Sequence, residues 1–132
     1  MAKTVADGGT ANERPTGSAE MPESASGLVE ALERAITLLR DDRLDEAEAA
    51  FIEILERWPG QPDALHFRGV LRHSQGRLDE AVELISAALR QIPQHAGAWN
   101  NLGNVLLVAG RVDEAVQAYE RGIAIAAGQP ET

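Results

Sequence analysis

Small and apolar positions recur at one spacing along residues 45–57, 79–91 and 113–126. Ala47, Phe51 and Ile54 in the first stretch correspond to Ala81, Ile85 and Ala88, and then to Ala115, Tyr119 and Gly122. Steps of four and then three residues trace one face of an α-helix, with small residues at the ends and a larger one between. Each stretch follows another of about equal length, at 28–40, 62–74 and 96–108, across a polar break that holds Asp42, Gly76 or Gly110. No segment alternates apolar and polar residues as a half-buried strand would. The pattern predicts six helices, each short enough to be marginal alone in water, so stacking of helix pairs must supply the core.

The breaks carry turn chemistry. Gly76 and Gly110 suit a helix C-terminal turn, where a positive φ is needed. The acidic pairs Asp45-Glu46, Asp79-Glu80 and Asp113-Glu114 follow at once. At the start of a helix the macrodipole favours negative charge, and a capping role is expected of them. Pro62 fits a first helical turn, and Pro59 and Pro93 follow the ends of two second stretches. These features repeat as DRLDEA at 42–47, GRLDEA at 76–81 and GRVDEA at 110–115, each 34 residues after the last. A fixed period of that length marks a repeat architecture.

On these residues the chain resembles the tetratricopeptide repeat (TPR) family. The third unit matches best, with Trp99, Leu102, Gly103, Leu106, Ala115, Tyr119 and Gly122. The second keeps Gly69, Gly76, Ala81, Ile85, Ala88 and Pro93, and the first keeps Ala35, Ala47, Phe51, Ile54 and Pro59. The resemblance implies an all-α fold, a right-handed α-solenoid of three antiparallel helix pairs whose first helices line a concave groove. The expected organisation is a TPR domain over 28–127, in units 28–61, 62–95 and 96–127, with a short C-terminal tail at 128–132. Arg34 and Arg68 stand where the third unit has Leu102, and Arg72 takes another usually apolar place. Their stems are expected to pack while the heads reach solvent or a glutamate.

Composition narrows the function. Twelve Lys+Arg against 21 Asp+Glu leave a net charge of −9, which disfavours nucleic acid and anionic membrane as partners. There is no cysteine, so disulfides and thiolate metal sites are excluded. Residues 1–27 are rich in Gly, Ala, Ser, Thr, Pro and Glu with little to bury, and are expected to form a disordered tail. They lack the apolar core of a secretory signal, so a cytoplasmic location is the default expectation. His66 and His73 lie seven residues apart, about 10 Å along a helix, too far for ready capture of one metal. Ser74 and Ser86 lack a nucleophile-elbow context. No metal, cofactor or catalytic residue is expected, and the chain reads as a non-enzyme.

What remains is the groove, and a protein or peptide as the expected partner. The TPR layout directs Leu32 and Ile36, then His66, Phe67, Val70 and His73, then Asn100, Asn101, Asn104 and Leu107 toward it. The carboxylate clamp of chaperone-binding TPRs needs cations and asparagines where this chain has Leu32, Ile36, Gly97 and Asn101, which disfavours an acidic C-terminal peptide. Asn101 instead matches one rung of the asparagine ladder in O-linked N-acetylglucosamine transferase-type arrays, where carboxamides hold a peptide backbone. The last helix is expected to leave Val116, Tyr119 and Ile123 exposed, an apolar strip suited to self-association in a homodimer or to a partner helix. Short arrays of this kind also precede catalytic domains in bacterial proteins, so an accessory domain of a larger enzyme is a further alternative.

Overall fold

The computed structural model describes residues 23–128. Six helices follow one another: α1 (Glu23–Arg40), α2 (Leu44–Arg57), α3 (Pro62–Ser74), α4 (Leu78–Gln91), α5 (Ala96–Val108) and α6 (Val112–Ala126). Among the described residues there is no strand. Helices α3 and α5 have the bounds that the periodicity predicts, and α2, α4 and α6 begin one residue early. Helix α1 starts five residues before the expected boundary at 28, in a stretch (ESASG) with too little apolar content to register as a period. Residues 1–22 of the expected disordered tail, and 129–132 of the C-terminal tail, lie outside the described residues.

Each pair closes through the same turn. The N–H of Arg77 donates to the carbonyl of Arg72, and the N–H of Gly76 to that of His73; Arg111 with Leu106 and Gly110 with Leu107 do the same. This is the Schellman closure, which needs a left-handed residue just after the helix. Gly76 (φ 76°) and Gly110 (φ 81°) supply it, and in the first unit Asp42 adopts it at φ 63°. The acidic pairs do not cap in the expected way. The N-cap residues are Arg43, Arg77 and Arg111, whose side chains make no capping hydrogen bond. Each arginine instead pairs with the glutamate three residues on, as in Arg111 with Glu114 at 2.8 Å. The pair bridges the first turn and keeps negative charge at the helix start.

Consecutive helices pack along the chain, most extensively α3 with α4 and α5 with α6, and α1 touches α3 and α3 touches α5. Two apolar clusters result. One gathers Leu32, Ala35, Ala47, Ala50, Phe51, Ile54, Ala64 and Leu71 from α1, α2 and α3. The other gathers Ala81, Ile85, Leu89, Ala98, Leu102, Val105, Leu106, Ala115 and Ala118 from α4, α5 and α6. Within the pairs, glycine permits the close approach. A Cβ on Gly69 would lie 2.6 Å from Ile85 Cγ1, and one on Gly103 would lie 2.7 Å from Tyr119 Cε1. The small residue of one helix thus receives the large residue of its partner, as the alternation in sequence implies.

Of the three arginines at usually apolar places, Arg68 and Arg72 reach a glutamate, and Arg34 is exposed. Glu48 Oε2 accepts from Arg72 Nη2 at 2.7 Å and from Arg68 Nη2 at 3.2 Å. Arg72 also lies 3.1 Å from Glu80. This network ties α2, α3 and α4 together where the third unit uses Leu102 and Leu106. Because its members are only partly exposed, each needs the others to offset desolvation. No helix among the described residues is long and apolar enough to cross a membrane.

Candidate peptide-binding surface

Helices α1, α3 and α5 are the first members of their pairs and run side by side, joined by the α1–α3 and α3–α5 contacts. They carry all the expected groove residues, which divide into three groups by exposure. Ile36, Phe67, Val70, His73 and Asn101 are half-buried, while Asn100, Asn104 and Leu107 are exposed. Leu32 and His66 are not part of an open surface. Leu32 is 9% exposed and belongs to the first apolar cluster, and His66 is 3% exposed. Helical spacing assigns a residue to a face, but the packing of α3 against α5 decides which members of that face are covered.

His66 organises the middle of this surface. Its Nε2 lies 2.8 Å from Asn101 Nδ2, one helix away. Its ring stacks at a tilt on Phe67, with centroids 4.6 Å apart, and meets His95 edge-on at 5.1 Å. Nδ1 is buried without a hydrogen-bond partner. Burial is the main reason that His66 titrates far below an ordinary histidine, at about 4; the neighbouring His95 adds to the shift and Asp63 partly opposes it. The ring is therefore neutral at pH 7. His95 has a separate task. Its Nδ1 accepts the N–H of Ala98 at 3.1 Å and caps α5, as Gln61 caps α3 through the N–H of Ala64 at 2.7 Å. Neither cap was legible beforehand, because glutamine and histidine are not typical capping residues.

Asn104, one turn beyond Asn101, is held from the other side. Its Oδ1 accepts from the Tyr119 hydroxyl at 2.5 Å. Tyr119 was expected in the exposed strip of α6, but it is half-buried, with its ring over Gly103. Val116 (47% exposed), Ile123 (68%) and Val112 (53%) do remain in the open. A glycine sixteen residues before the tyrosine was the available signal, since it leaves a slot of aromatic size.

Among the described residues no three His, Asp or Glu side chains converge as a metal set. A surface cleft of about 350 Å³ lies elsewhere, between α1 and α2, lined by residues such as Ala31, Arg34, Ile54, Arg57 and Trp58.

A stack of antiparallel helix pairs with a 34-residue period, and one helix of each pair along a common surface, defines an α-solenoid built to present that surface. The chain belongs to the tetratricopeptide repeat family, whose model matches residues 32–96 and 75–130. Domains of this family are in general protein-interaction modules. Among solved structures, the chain is similar to a mutant of the Thermobaculum terrenum O-GlcNAc transferase, with TM-score 0.76 and 25% identity over 80% of this chain. The match spans only 20% of the transferase. The Sgt2 TPR domain from Aspergillus fumigatus matches 89% of this chain and 75% of its own, at TM-score 0.71 and 22% identity. The second TPR of Spaghetti (RPAP3), bound to the HSP90 peptide SRMEEVD, matches 74% of this chain and 91% of its own, at 0.69 and 13%. The last two show the fold alone. No curated protein sequence matches the chain.

Proposed function

We propose that this chain is a non-catalytic module that holds an extended segment of a partner protein along α1, α3 and α5. The observation that carries this reading is the placement of Asn101 and Asn104 on one face of α5, next to α3 with its half-buried Phe67 and Val70, while α1 beyond α3 carries the half-buried Ile36. Apolar side chains supply contact area, and carboxamides satisfy peptide groups without demanding a sequence. A neutral segment is favoured over an acidic one, because Leu32, Ile36, Gly97 and Asn101 leave the clamp positions without a cation. Binding is favoured over chemistry because two of the three histidines are committed to structure, His66 to Asn101 and His95 to the cap of α5, and His73 stands on the surface with no metal set among the described residues. A blocked decapeptide of alternating valine and threonine is a neutral probe with strong extended preference. Asn101→Ala with Asn104→Ala should weaken its binding at least about tenfold, the worth of one to two hydrogen bonds, with helicity unchanged. Undiminished binding would sink the groove reading.

The exposed side of α6 supports a second reading, self-association. On α4 the equivalent positions Leu78, Val82 and Leu89 pack into the cluster formed with α5. On α6 these become Val112, Val116 and Ile123, all exposed. The exposed side of α1, in the first pair, is mostly polar, with Glu30, Glu33, Arg34 and Thr37 exposed beside Val29. Head-to-tail stacking would set apolar against charged groups, so a two-fold contact of α6 with α6 is the better match. Light scattering should show a dimer that Val116→Glu with Ile123→Lys converts to monomer; a monomer at high concentration before mutation rules the contact out.

A further inference from the structure

The two asparagines of α5 are tied in opposite senses. A carboxamide has one acceptor oxygen and one nitrogen with two donors. Asn101 turns its nitrogen inward to His66 Nε2, so its oxygen is the end left toward the surface. Asn104 turns its oxygen inward to the Tyr119 hydroxyl, so its nitrogen is left outward. Residues three apart on a helix are neighbours, with Cβ atoms about 5–6 Å apart. An extended chain shows the N–H and C=O of one residue along the same edge, at a spacing that such a pair can meet.

We propose that His66 and Tyr119 are positioning residues that key Asn101 as an acceptor and Asn104 as a donor, so that α5 reads the main-chain N–H and C=O of a single extended residue of the partner. This rests on the groove reading above. The keying has a chemical requirement at His66. An amide nitrogen can only donate, so Nε2 must accept and the ring proton must sit on Nδ1, the atom buried without a partner. Phe67 and His95 pack against the ring, at 4.6 and 5.1 Å between centroids. Its low affinity for a second proton, caused chiefly by burial, preserves the accepting Nε2 at neutral pH. At Tyr119 the hydroxyl is brought to Asn104 by the seat of its ring on Gly103. Each carboxamide thus loses the freedom to rotate before a ligand arrives, and binding does not have to supply that order.

The test has two arms. Nitrogen-15 NMR of the ligand-free protein at pH 7 should show His66 as the Nδ1–H tautomer, with the side-chain amides of Asn101 and Asn104 restrained. A protonated Nε2, or freely averaging amides, overturns the keying whatever binds. The second arm titrates the valine–threonine decapeptide. His66→Phe and Tyr119→Phe should each weaken binding about tenfold with helicity retained, whereas His66→Gln, which offers an acceptor oxygen to Asn101, should recover most of the affinity. Equal loss in the phenylalanine and glutamine variants makes His66 merely structural and overturns its positioning role. If the asparagines are keyed but the wild type does not bind the decapeptide, the groove reading falls and the main-chain readout with it.

Discussion

Phe51→Ala is expected to destabilise the protein by about 3–5 kcal/mol, the usual cost of emptying a fully buried phenylalanine site. Phe51 has no exposed surface and sits in the cluster shared by α1, α2 and α3. Its loss removes contacts from all three helices at once, and the helices are too short to stand without them. A domain of this size holds only about 5–15 kcal/mol in reserve. In a solenoid the damage should also be local, because each unit depends on its neighbours alone. Hydrogen exchange should therefore accelerate first in α1 and α2 and least in α5 and α6, and the urea midpoint should fall. Ile52→Ala is the control on the same helix. That side chain is 38% exposed, and its truncation should cost well under half as much. Equal losses at the two positions would contradict the placement of the core.

Acid should destabilise the fold through His66. In the folded protein this histidine titrates at about 4, whereas in the unfolded chain it returns to 6.5. A folded-state value below the unfolded one means that the unfolded chain takes up the proton first. Stability from this site is fully present above about pH 6.5, declines as the pH falls from there, and is lost once the pH passes below about 4. The total is about 3 kcal/mol over that window. Many carboxylates also titrate near the lower end, so the effect is isolated by difference. Urea unfolding of the wild type and of His66→Gln, measured from pH 7 to pH 4, should show the wild type losing about 3 kcal/mol more than the variant. Parallel curves would mean that His66 is not held neutral by its burial.

Both expectations draw on different depths of information. The helices and their turns were legible because their causes are local. A step of four and three residues makes a helix, and Gly76 and Gly110 end one wherever they stand. The pairing of α3 with α4 and of α5 with α6 was nearly as legible. Gly69 opposite Ile85, and Gly103 opposite Tyr119, are complementary sizes within one repeat. For the arginines at 68 and 72 the sequence left solvent or a glutamate as the destination of each head. That the acid is Glu48, 20 and 24 residues earlier, became evident only when α2 was laid against α3.

The surface was the least legible part, and for a physical reason. Its residues lie on helices from different units, and their neighbours are set by the angle between one pair and the next. The family resemblance placed Leu32 and His66 on the same face as Ile36 and Val70, yet the first two are covered and the others half-open. It implied Asn101 and Asn104 as the polar end of an expected groove but could not reveal what holds them. His66 reaches Asn101 across 35 residues, one repeat and one residue more, through a contact that exists only after the units stack. The resemblance put Tyr119 on an apolar strip that a further helix would cover, and the slot over Gly103 draws it inward instead. The sequence by itself determined six helices, their ends to within a residue except the start of α1, and the residues that let each pair close, since those follow from spacing along one chain. Only the tertiary structure decided which side chains meet between units, and so which carboxamide faces outward by its oxygen and which by its nitrogen.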